Sequence, residues 1–437
     1  MQKPVKLLLA TLIPTLLFSQ THASEQSEAK GFVEDAKGSV LFRTGLNTRD
    51  KKNGKRDQES AGQGAMFKID SGFTQGTIGF GVGILADAGF KIGSNDRAGT
   101  DMIPSAHQGA TNEFGFVTPK DHWLRGGGYV KARVSNTTVV YGTQTVDSPA
   151  FASNLGRIAP EYYTGVSITS HEIKDMELTL GKYTKNVRSG QVGSDDNHLD
   201  RALSWGTKYQ INDHLKTSYY GLDIKDHLRR HYANANFKQD LTTDKSLTYD
   251  LSAYHTKWDE NGVTSSETTS DKNNRKNTIW AFSTTYNTGP HSVMLAFQQN
   301  IGNTGYDYNN NEDGGASIAL PNSYLSDFSG AGEKSVNLQY SFDFSALDIP
   351  GLTWTTAYVY GWDIDVANAD KSALLTSNAK ETEFFNQIKY TVQSGFAKDV
   401  SFRARNYIYR ADEEYRGIYM PNTDEWRVFL DIPVDLF

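Results

Sequence analysis

The chain has 437 residues, no cysteine, a formal net charge of −7 and a mean hydropathy of −0.55. A hydrophobic content of 38% argues against disorder, and the lack of cysteine argues against a small disulfide-stapled module. The low mean hydropathy argues against a bundle of membrane helices. The acidic balance disfavours a nucleic-acid partner, because binding phosphates requires a basic surface.

The first residues have the pattern of an export signal. Lys3 and Lys6 precede an apolar stretch at 7–18, and Thr21, His22 and Ala23 form a small-x-small cleavage site. We expect residues 1–23 to be a signal peptide and residues 24–437 to form a single domain. A short helical anchor is the alternative, but about twelve apolar residues fall short of the roughly 20 that a spanning helix needs.

The last residues alternate between apolar and polar side chains. Even-numbered positions from Trp426 to Leu436 are apolar, whereas Arg427, Asp431 and Asp435 lie on the other face. Period-two alternation is typical of a β-strand with one apolar face. The same pattern predicts eighteen strands, near 40–47, 65–73, 77–90, 126–134, 137–145, 164–172, 176–186, 201–211, 215–225, 229–241, 246–258, 277–287, 291–300, 335–344, 352–362, 382–393, 400–410 and 425–436.

The connections between these strands alternate between short turns and longer polar loops. An even number of antiparallel strands with this alternation is typical of an outer-membrane barrel, with short periplasmic turns and long extracellular loops. The sequence therefore predicts an all-β fold, a closed antiparallel transmembrane β-barrel in a bacterial outer membrane. Eighteen strands leave room for an aqueous channel. A soluble β-sandwich is the alternative, in which the 23 Tyr and 22 Phe fill a core.

Patterns that would indicate catalysis or metal binding are weak. The glycine-rich stretch 79–83 lies inside a predicted strand, without the helix that a nucleotide-binding loop needs. His227 and His231 are four residues apart, but only a helix would bring that spacing to one metal. The polar loop 307–313 has Glu312 where a calcium loop needs glycine. We expect no enzymatic activity, no metal and no cofactor.

Several stretches resemble one known family. They are GFVED at 31–35, LFR at 41–43, TRD at 48–50, SGFTQGTIGFG at 71–81, YG at 141–142, LGR at 155–157, SHEI at 170–173, KYTVQSG at 389–395, SFRARN at 401–406 and the final Leu436 and Phe437. These segments are similar to those of the OprD-like outer-membrane porins, also called outer-membrane carboxylate channels. The resemblance implies a loop folded into the lumen and a row of basic side chains that guides small carboxylates.

Alternation assigns six basic side chains to the lumen, and the resemblance makes them a candidate substrate path: Arg43, Arg133, Lys389, Arg403, Arg405 and Arg427. Each could instead be a solvated charge or pair with Asp50, Asp431 or Asp435. Their strands are near neighbours in a closed barrel, which favours a shared basic wall.

The resemblance places the inward loop at 146–163 and a second lining loop at 301–334. Candidate constriction residues are Asp147, Ser153, Arg157, Glu161, Ser317 and Asp327. Ala316 stands where relatives often have an acidic residue, which puts selectivity for basic amino acids in doubt.

The function expected is a substrate-preferring diffusion channel for small carboxylate-containing solutes such as amino acids or organic and aromatic acids. A sugar-selective porin, or an outer-membrane barrel enzyme or adhesin, remains an alternative. The other partners expected are outer-membrane lipid and lipopolysaccharide, and the barrel assembly machinery. A monomer or a loose trimer is expected, with no nucleic-acid partner.

Overall fold

A computed structural model describes residues 24–106, 111–194, 199–262, 266–308 and 318–437. Within these ranges eighteen strands form one sheet. The strands are β1 Lys37–Lys51, β2 Gln58–Asp70, β3 Ile78–Lys91, β4 His122–Val134, β5 Thr137–Gln144, β6 Tyr162–Ser170, β7 Met176–Val187, β8 Ala202–Gln210, β9 Leu215–Ile224, β10 Leu228–Thr242, β11 Lys245–Trp258, β12 Lys276–Thr288, β13 His291–Gly302, β14 Lys334–Asp343, β15 Leu352–Ala367, β16 Leu374–Thr391, β17 Ser401–Ala411 and β18 Thr423–Asp435. One short helix, α1 Glu413–Arg416, and two 3-10 turns, Lys272–Asn274 and Phe344–Leu347, complete the described regular structure.

The sheet closes on itself. Each strand pairs antiparallel with the next, and β18 pairs with β1 from Ser39↔Asp435 to Lys51↔Thr423. Closure satisfies the backbone groups that an open edge would leave unpaired in lipid. The predicted closed barrel of eighteen strands is therefore confirmed. No helix in the described ranges is both long and apolar enough to span a bilayer.

The two faces of each strand differ as the alternation predicted. On β17, Phe402 and Ile408 point outward and are 42% and 36% exposed, whereas Tyr407 points inward and is 2% exposed. Leu295 on β13 and Leu338 on β14 are likewise exposed outside. The exposed apolar surface of this molecule is therefore its outer wall.

Several strands are longer than predicted. β2 begins at Gln58 rather than at 65, and β16 begins at Leu374 rather than at 382. β1 continues to Lys51, with Thr48 opposite Trp426 and Lys51 opposite Thr423. The predicted bounds were wrong here because the ladder continues past the apolar band, where both faces are polar and alternation gives no signal.

The two ends of the barrel carry different connections. At the turn end, residues 135–136, 243–244 and 289–290 join strands by two residues each. At the loop end the connections include 92–121, 145–161 and 303–333. Residues 145–161 are called the inward loop below, and residues 303–333 the second loop, of which 303–308 and 318–333 are described.

Candidate functional site

The inward loop crosses the interior of the barrel. On one side, the Tyr254 hydroxyl on β11 donates to the Pro149 carbonyl at 2.8 Å. On the other side, Arg43 Nη1 on β1 donates to the carbonyls of Leu155 and Arg157 at 2.8 and 2.9 Å. β1 and β11 are ten strands apart in the chain order of an eighteen-strand ring, so they stand on nearly opposite walls. The prediction of a loop folded into the lumen is confirmed.

Small residues on the opposing wall make room for this loop. Ile158 is fully buried and packs against β1 and β2 where their inward positions are glycine. A Cβ at Gly64 would lie 2.8 Å from Ile158 Cγ2, and one at Gly45 would lie 3.2 Å from Cγ1. Real carbon atoms do not approach as closely as the first distance, so a larger side chain at Gly64 would displace the loop.

A buried carboxylate holds the base of the inward loop. Glu161 is 0% exposed and accepts from the Asn154 amide at 2.9 Å, the Tyr163 hydroxyl at 3.1 Å and Asn186 Nδ2 at 2.6 Å. Ser153 Oγ accepts from the Val146 amide at 3.0 Å. These contacts fix the shape of the loop from within.

The predicted constriction residues divide into two groups in the structure. Asp147 is exposed on the inward loop. Ser153, Arg157, Glu161 and Asp327 are buried supports rather than exposed lining groups. The hydroxyls of Ser323 and Tyr308 both donate to the Asp327 carboxylate. Ser317 lies outside the described residues.

The second loop also packs inside the barrel. Tyr254, which holds the inward loop, accepts from the Ala319 amide at 2.8 Å, so one hydroxyl joins both loops. The ring of Tyr324 stacks on Phe385 of β16 at 4.6 Å between centroids. Burial raises the pKa of Tyr306 to about 12, which keeps its hydroxyl neutral where it accepts from Arg230 at 3.0 Å.

Buried carboxyl groups anchor the end of the second loop. The amides of Leu325 and Ser326 donate to Glu383 of β16 at 3.0 and 2.8 Å. Glu333 and Glu381 are both fully buried and lie within hydrogen-bonding reach of each other. Burial, and next the nearby charge of Glu381, raise the pKa of Glu333 well above its usual range. A proton shared by this pair removes the repulsion of two buried charges.

Three of the predicted basic residues stand together without acidic partners. Lys389 on β16 is directly opposite Arg403 on β17, and Arg405 follows two positions along the same face. Arg403 lies 5.1 Å over the ring of Phe429, and Arg405 Nε donates to Gln387 at 2.7 Å. In the described part of the chain no acidic group pairs with these three side chains. These three side chains therefore form a positively charged stretch of the wall.

Two further predicted residues are engaged with carboxylates. Arg43 binds Asp431 through two hydrogen bonds, Nε to Oδ1 at 2.7 Å and Nη2 to Oδ2 at 2.9 Å. Arg427 Nε donates to Glu425, which also receives Arg49 Nε at 2.6 Å. For Arg43, the salt bridge that the sequence left open as an alternative is the one formed.

Arg133 does not join the others. It lies at the turn end of β4, three strands from β1. Its Nε donates to Gln26 Oε1 at 3.1 Å, its guanidinium is 3.6 Å from Glu25, and it stacks over Phe73 at 4.2 Å. The alternation assigned the correct face, but a shared face does not fix the position around the ring.

The wall across the lumen from the basic residues carries mixed charge. β17 and β8 are nine strands apart, which makes them opposite in a ring of eighteen. A cavity of about 660 Å³ lies on the β8 side beneath Pro149. Glu177 and Lys208 line it 3.4 Å apart, and Asp250 accepts from Asn234 at 3.0 Å.

Sequence reasoning missed several groups of this site. Asn47 and Arg49 share the inward face of β1 with Arg43, and both donate to Glu425. Asn47 already lay on the face of Arg43 in the predicted strand 40–47 but was not chosen as a site residue, and Arg49 would have been found if that strand had been extended past residue 47. No signal in the sequence indicates that the hydroxyl of Tyr254 joins two loops, because that contact depends on how both loops fold.

Comparisons with known proteins agree with this architecture. Residues 30–436 match the family described as outer membrane porin, OprD family. Porin D of Pseudomonas aeruginosa is 33% identical over 435 residues, with 94% of each chain covered. The porin-like protein GalP of Pseudomonas putida is 27% identical, covering 97% of this chain and 98% of that one.

A solved structure is closer in sequence. The crystal structure of OccAB1 from Acinetobacter baumannii has a TM-score of 0.88 and 58% identity, and covers 95% of this chain and 100% of that chain. The chain therefore belongs to the OprD family of outer-membrane porins.

Proposed function

We propose that this porin prefers small carboxylate-bearing solutes and that Lys389, Arg403 and Arg405 form the part of the wall along which they move. The observation that carries the proposal is the absence of acidic partners for these three cations, among the described residues, in a lumen narrowed by two loops. A porin that selected solutes by size alone would not need unpaired charges on one wall of its lumen.

Moderate attraction suits such a path. A pair of unit charges about 4 Å apart gains roughly 1 kcal/mol in bulk water and about 4 kcal/mol at an effective dielectric constant of 20. A solute that gains much more would stay bound, so successive weak steps carry it better than one deep site. Arg43 and Arg427 contribute by shaping the constriction and the field rather than by direct contact.

The opposite wall suits the rest of the solute. Asp250, held by neutral amide and hydroxyl donors, and the Glu177–Lys208 pair offer both signs of charge. An amino acid or hydroxy acid with its carboxylate on the basic wall can therefore place its amino or hydroxyl groups toward this side.

Uptake by liposomes that contain the porin tests the proposal. A panel of organic acids, aromatic acids, amino acids and neutral sugars of similar size should show faster uptake of the solutes that carry a carboxylate. Equal rates for sugars and carboxylates would contradict the preference.

We further propose that the mature chain is a single domain of residues 24–437 without enzymatic activity. The barrel assembly machinery would insert it, as a monomer or loose trimer, into a membrane rich in lipopolysaccharide.

A further inference from the structure

Three basic side chains stand side by side on the outer wall, at the loop end of the barrel. Arg229 on β10 is directly opposite Lys257 on β11, and Lys257 is directly opposite Lys276 on β12. Their chain neighbours Arg230 and Thr256 are buried inside the barrel, so the three point outward. Arg229, Lys257 and Lys276 are called the outer basic row below.

The outer basic row carries more positive charge than its neighbours neutralise. Arg229 is 3.2 Å from Asp223, which also pairs with Arg201 at 2.7 Å. In the part of the chain that the structure describes, no acidic group pairs with Lys257 or Lys276. Like charges directly opposite on adjacent strands destabilise a sheet, so this arrangement favours binding of an anion.

Some outward cations elsewhere at the loop end have carboxylate partners, whereas Lys380 on β16 has none among the described residues. On β17, β18 and the end of β1, Arg410 and Lys52 both bind Asp424, at 2.7 and 3.0 Å. On β14, Lys334 is 2.9 Å from Asp363. Lys257 and Lys276 differ from Lys380 in that they stand directly opposite each other, so two unpaired positive charges are adjacent on neighbouring strands.

The depth of the outer basic row matches the headgroups of the outer leaflet. One step toward the membrane, His231 is opposite His255 and packs against Trp205 and Tyr219. Further along the same face comes Leu251, which is 49% exposed. An aromatic zone followed by exposed apolar side chains marks the boundary between headgroups and hydrocarbon. The row stands just outside that boundary.

We propose that the outer basic row binds the phosphate groups of a phosphorylated glycolipid in the outer leaflet. Phosphate is the anion found at this depth, and lysine ammonium groups bind it as point charges with three donors each. The lipid's acyl chains would then lie along the exposed apolar face of β11 and β12 below. The porin would hold one such lipid at a fixed place on its wall.

Native mass spectrometry of the purified porin with bisphosphorylated lipid A tests this proposal. The variant Lys257→Gln/Lys276→Gln should bind lipid A about 25-fold more weakly, because each cation near a lipid headgroup contributes about fivefold. Lys257→Arg/Lys276→Arg should bind like the parent. The matched control is Lys245→Gln, on the same strand and face at the opposite end, which should also bind like the parent.

Two comparisons identify the ligand. Dephosphorylated lipid A should bind the parent as weakly as intact lipid A binds the Gln double variant. Inorganic phosphate should not displace lipid A at equal concentration, because it lacks the acyl chains. Equal binding of lipid A to parent and double variant, equal binding of the dephosphorylated lipid, or displacement by phosphate alone would each overturn the proposal.

This inference is independent of the proposed substrate preference. The outer basic row lies outside the lumen, so the Gln double variant should keep the parent's conductance and heat-modifiable migration on gels. Loss of the parent's conductance or gel migration in the Gln double variant would show a folding defect. In that case lipid A binding is compared between Lys257→Arg/Lys276→Arg and the Lys245→Gln control. Weaker binding by the Arg double variant would overturn the proposal.

Discussion

Individual lumen arginines have two different roles. Arg43 is fixed by Asp431 and by two carbonyls of the inward loop, whereas Arg403 and Arg405 have no acidic partner among the described residues. The difference depends on which carboxylate the neighbouring strand places opposite, since β18 offers Asp431 to Arg43 but Phe429 to Arg403.

Removing the Arg43 side chain should loosen the inward loop. Arg43→Gln loses the pair with Asp431 and two hydrogen bonds to the loop, and a hydrogen bond from a charged group is worth about 1.5–3 kcal/mol. Single-channel conductance should therefore rise, and current noise should increase. The control is Arg410→Gln, whose ion pair with Asp424 lies on the outer wall. Unchanged conductance in Arg43→Gln would show that Arg43 does not hold the loop.

The face of a strand should determine what a charge change does. On β17, Phe402 lies on the outer wall between Tyr390 and Leu430, so Phe402→Lys places a cation in lipid and should cost about 1–4 kcal/mol depending on depth. Arg405→Gln on the same strand changes only the lumen. The free energy of unfolding of both variants is measured in urea, using the different gel migration of the folded and the heat-unfolded barrel as the readout. Equal destabilisation by the two variants would contradict the assignment of faces.

At the scale of strands and loops, alternation predicted which side chains face lipid but not where strands end. β1, β2 and β16 extend beyond the apolar band, where polar residues occupy both faces. The inward loop was predicted as a constriction, yet Ser153, Arg157 and Glu161 are buried supports. A loop's exposed and buried sides have no fixed period, because they depend on tertiary packing.

The second loop should respond to pH through Glu333. Its raised pKa means that the folded loop favours the protonated carboxyl. This contribution is complete below the ordinary pKa of 4.5 and is lost as the pH rises through the raised value. Hydrogen exchange at the amides of Leu325 and Ser326 should therefore quicken in alkaline buffer, beyond the normal rise with pH.

The matched variant is Glu333→Gln, which keeps the shape of the side chain but cannot ionise. In this variant, hydrogen exchange at the amides of Leu325 and Ser326 should show only the normal rise with pH. The groups that face Glu333 and Glu381 include Glu383, Asp327, Tyr409, Tyr415 and Tyr419; Tyr409 adds a hydrogen bond to Glu381, and Glu383 accepts from the two amides directly. An identical pH dependence in parent and variant would assign the effect to another of these groups.

At the scale of the whole molecule, eighteen antiparallel strands and their closure followed from counting alternating segments. The sequence also predicted that six basic residues share one wall, but the structure does not place all six together. Arg133 has the predicted inward parity, but β4 holds it at the turn end against Glu25 and Gln26. Odd or even position along a strand determines which face a side chain is on. Its height along the barrel axis and its position around the barrel depend on strand register and shear.

The mature protein should begin at Ser24. Thr21, His22 and Ala23 have the small-x-small pattern of a cleavage site, and the described structure uses Glu25 and Gln26 in contacts at the turn end. Intact mass of the porin extracted from outer membranes measures this directly. A mass that still includes Met1 would contradict the signal peptide.

The measurement that tests the central claim most directly compares carboxylate flux and ion selectivity in Arg403→Gln/Arg405→Gln, with Arg410→Gln as a control on the outer face of the same strand. Each lumen charge is worth roughly 1 kcal/mol, which is about fivefold, so the loss of two should lower carboxylate uptake about 25-fold. The reversal potential in a salt gradient should move toward cation selectivity, and the control should match the parent. Carboxylate uptake and reversal potential equal to the parent's in the double variant would contradict a basic wall as the path of the solute.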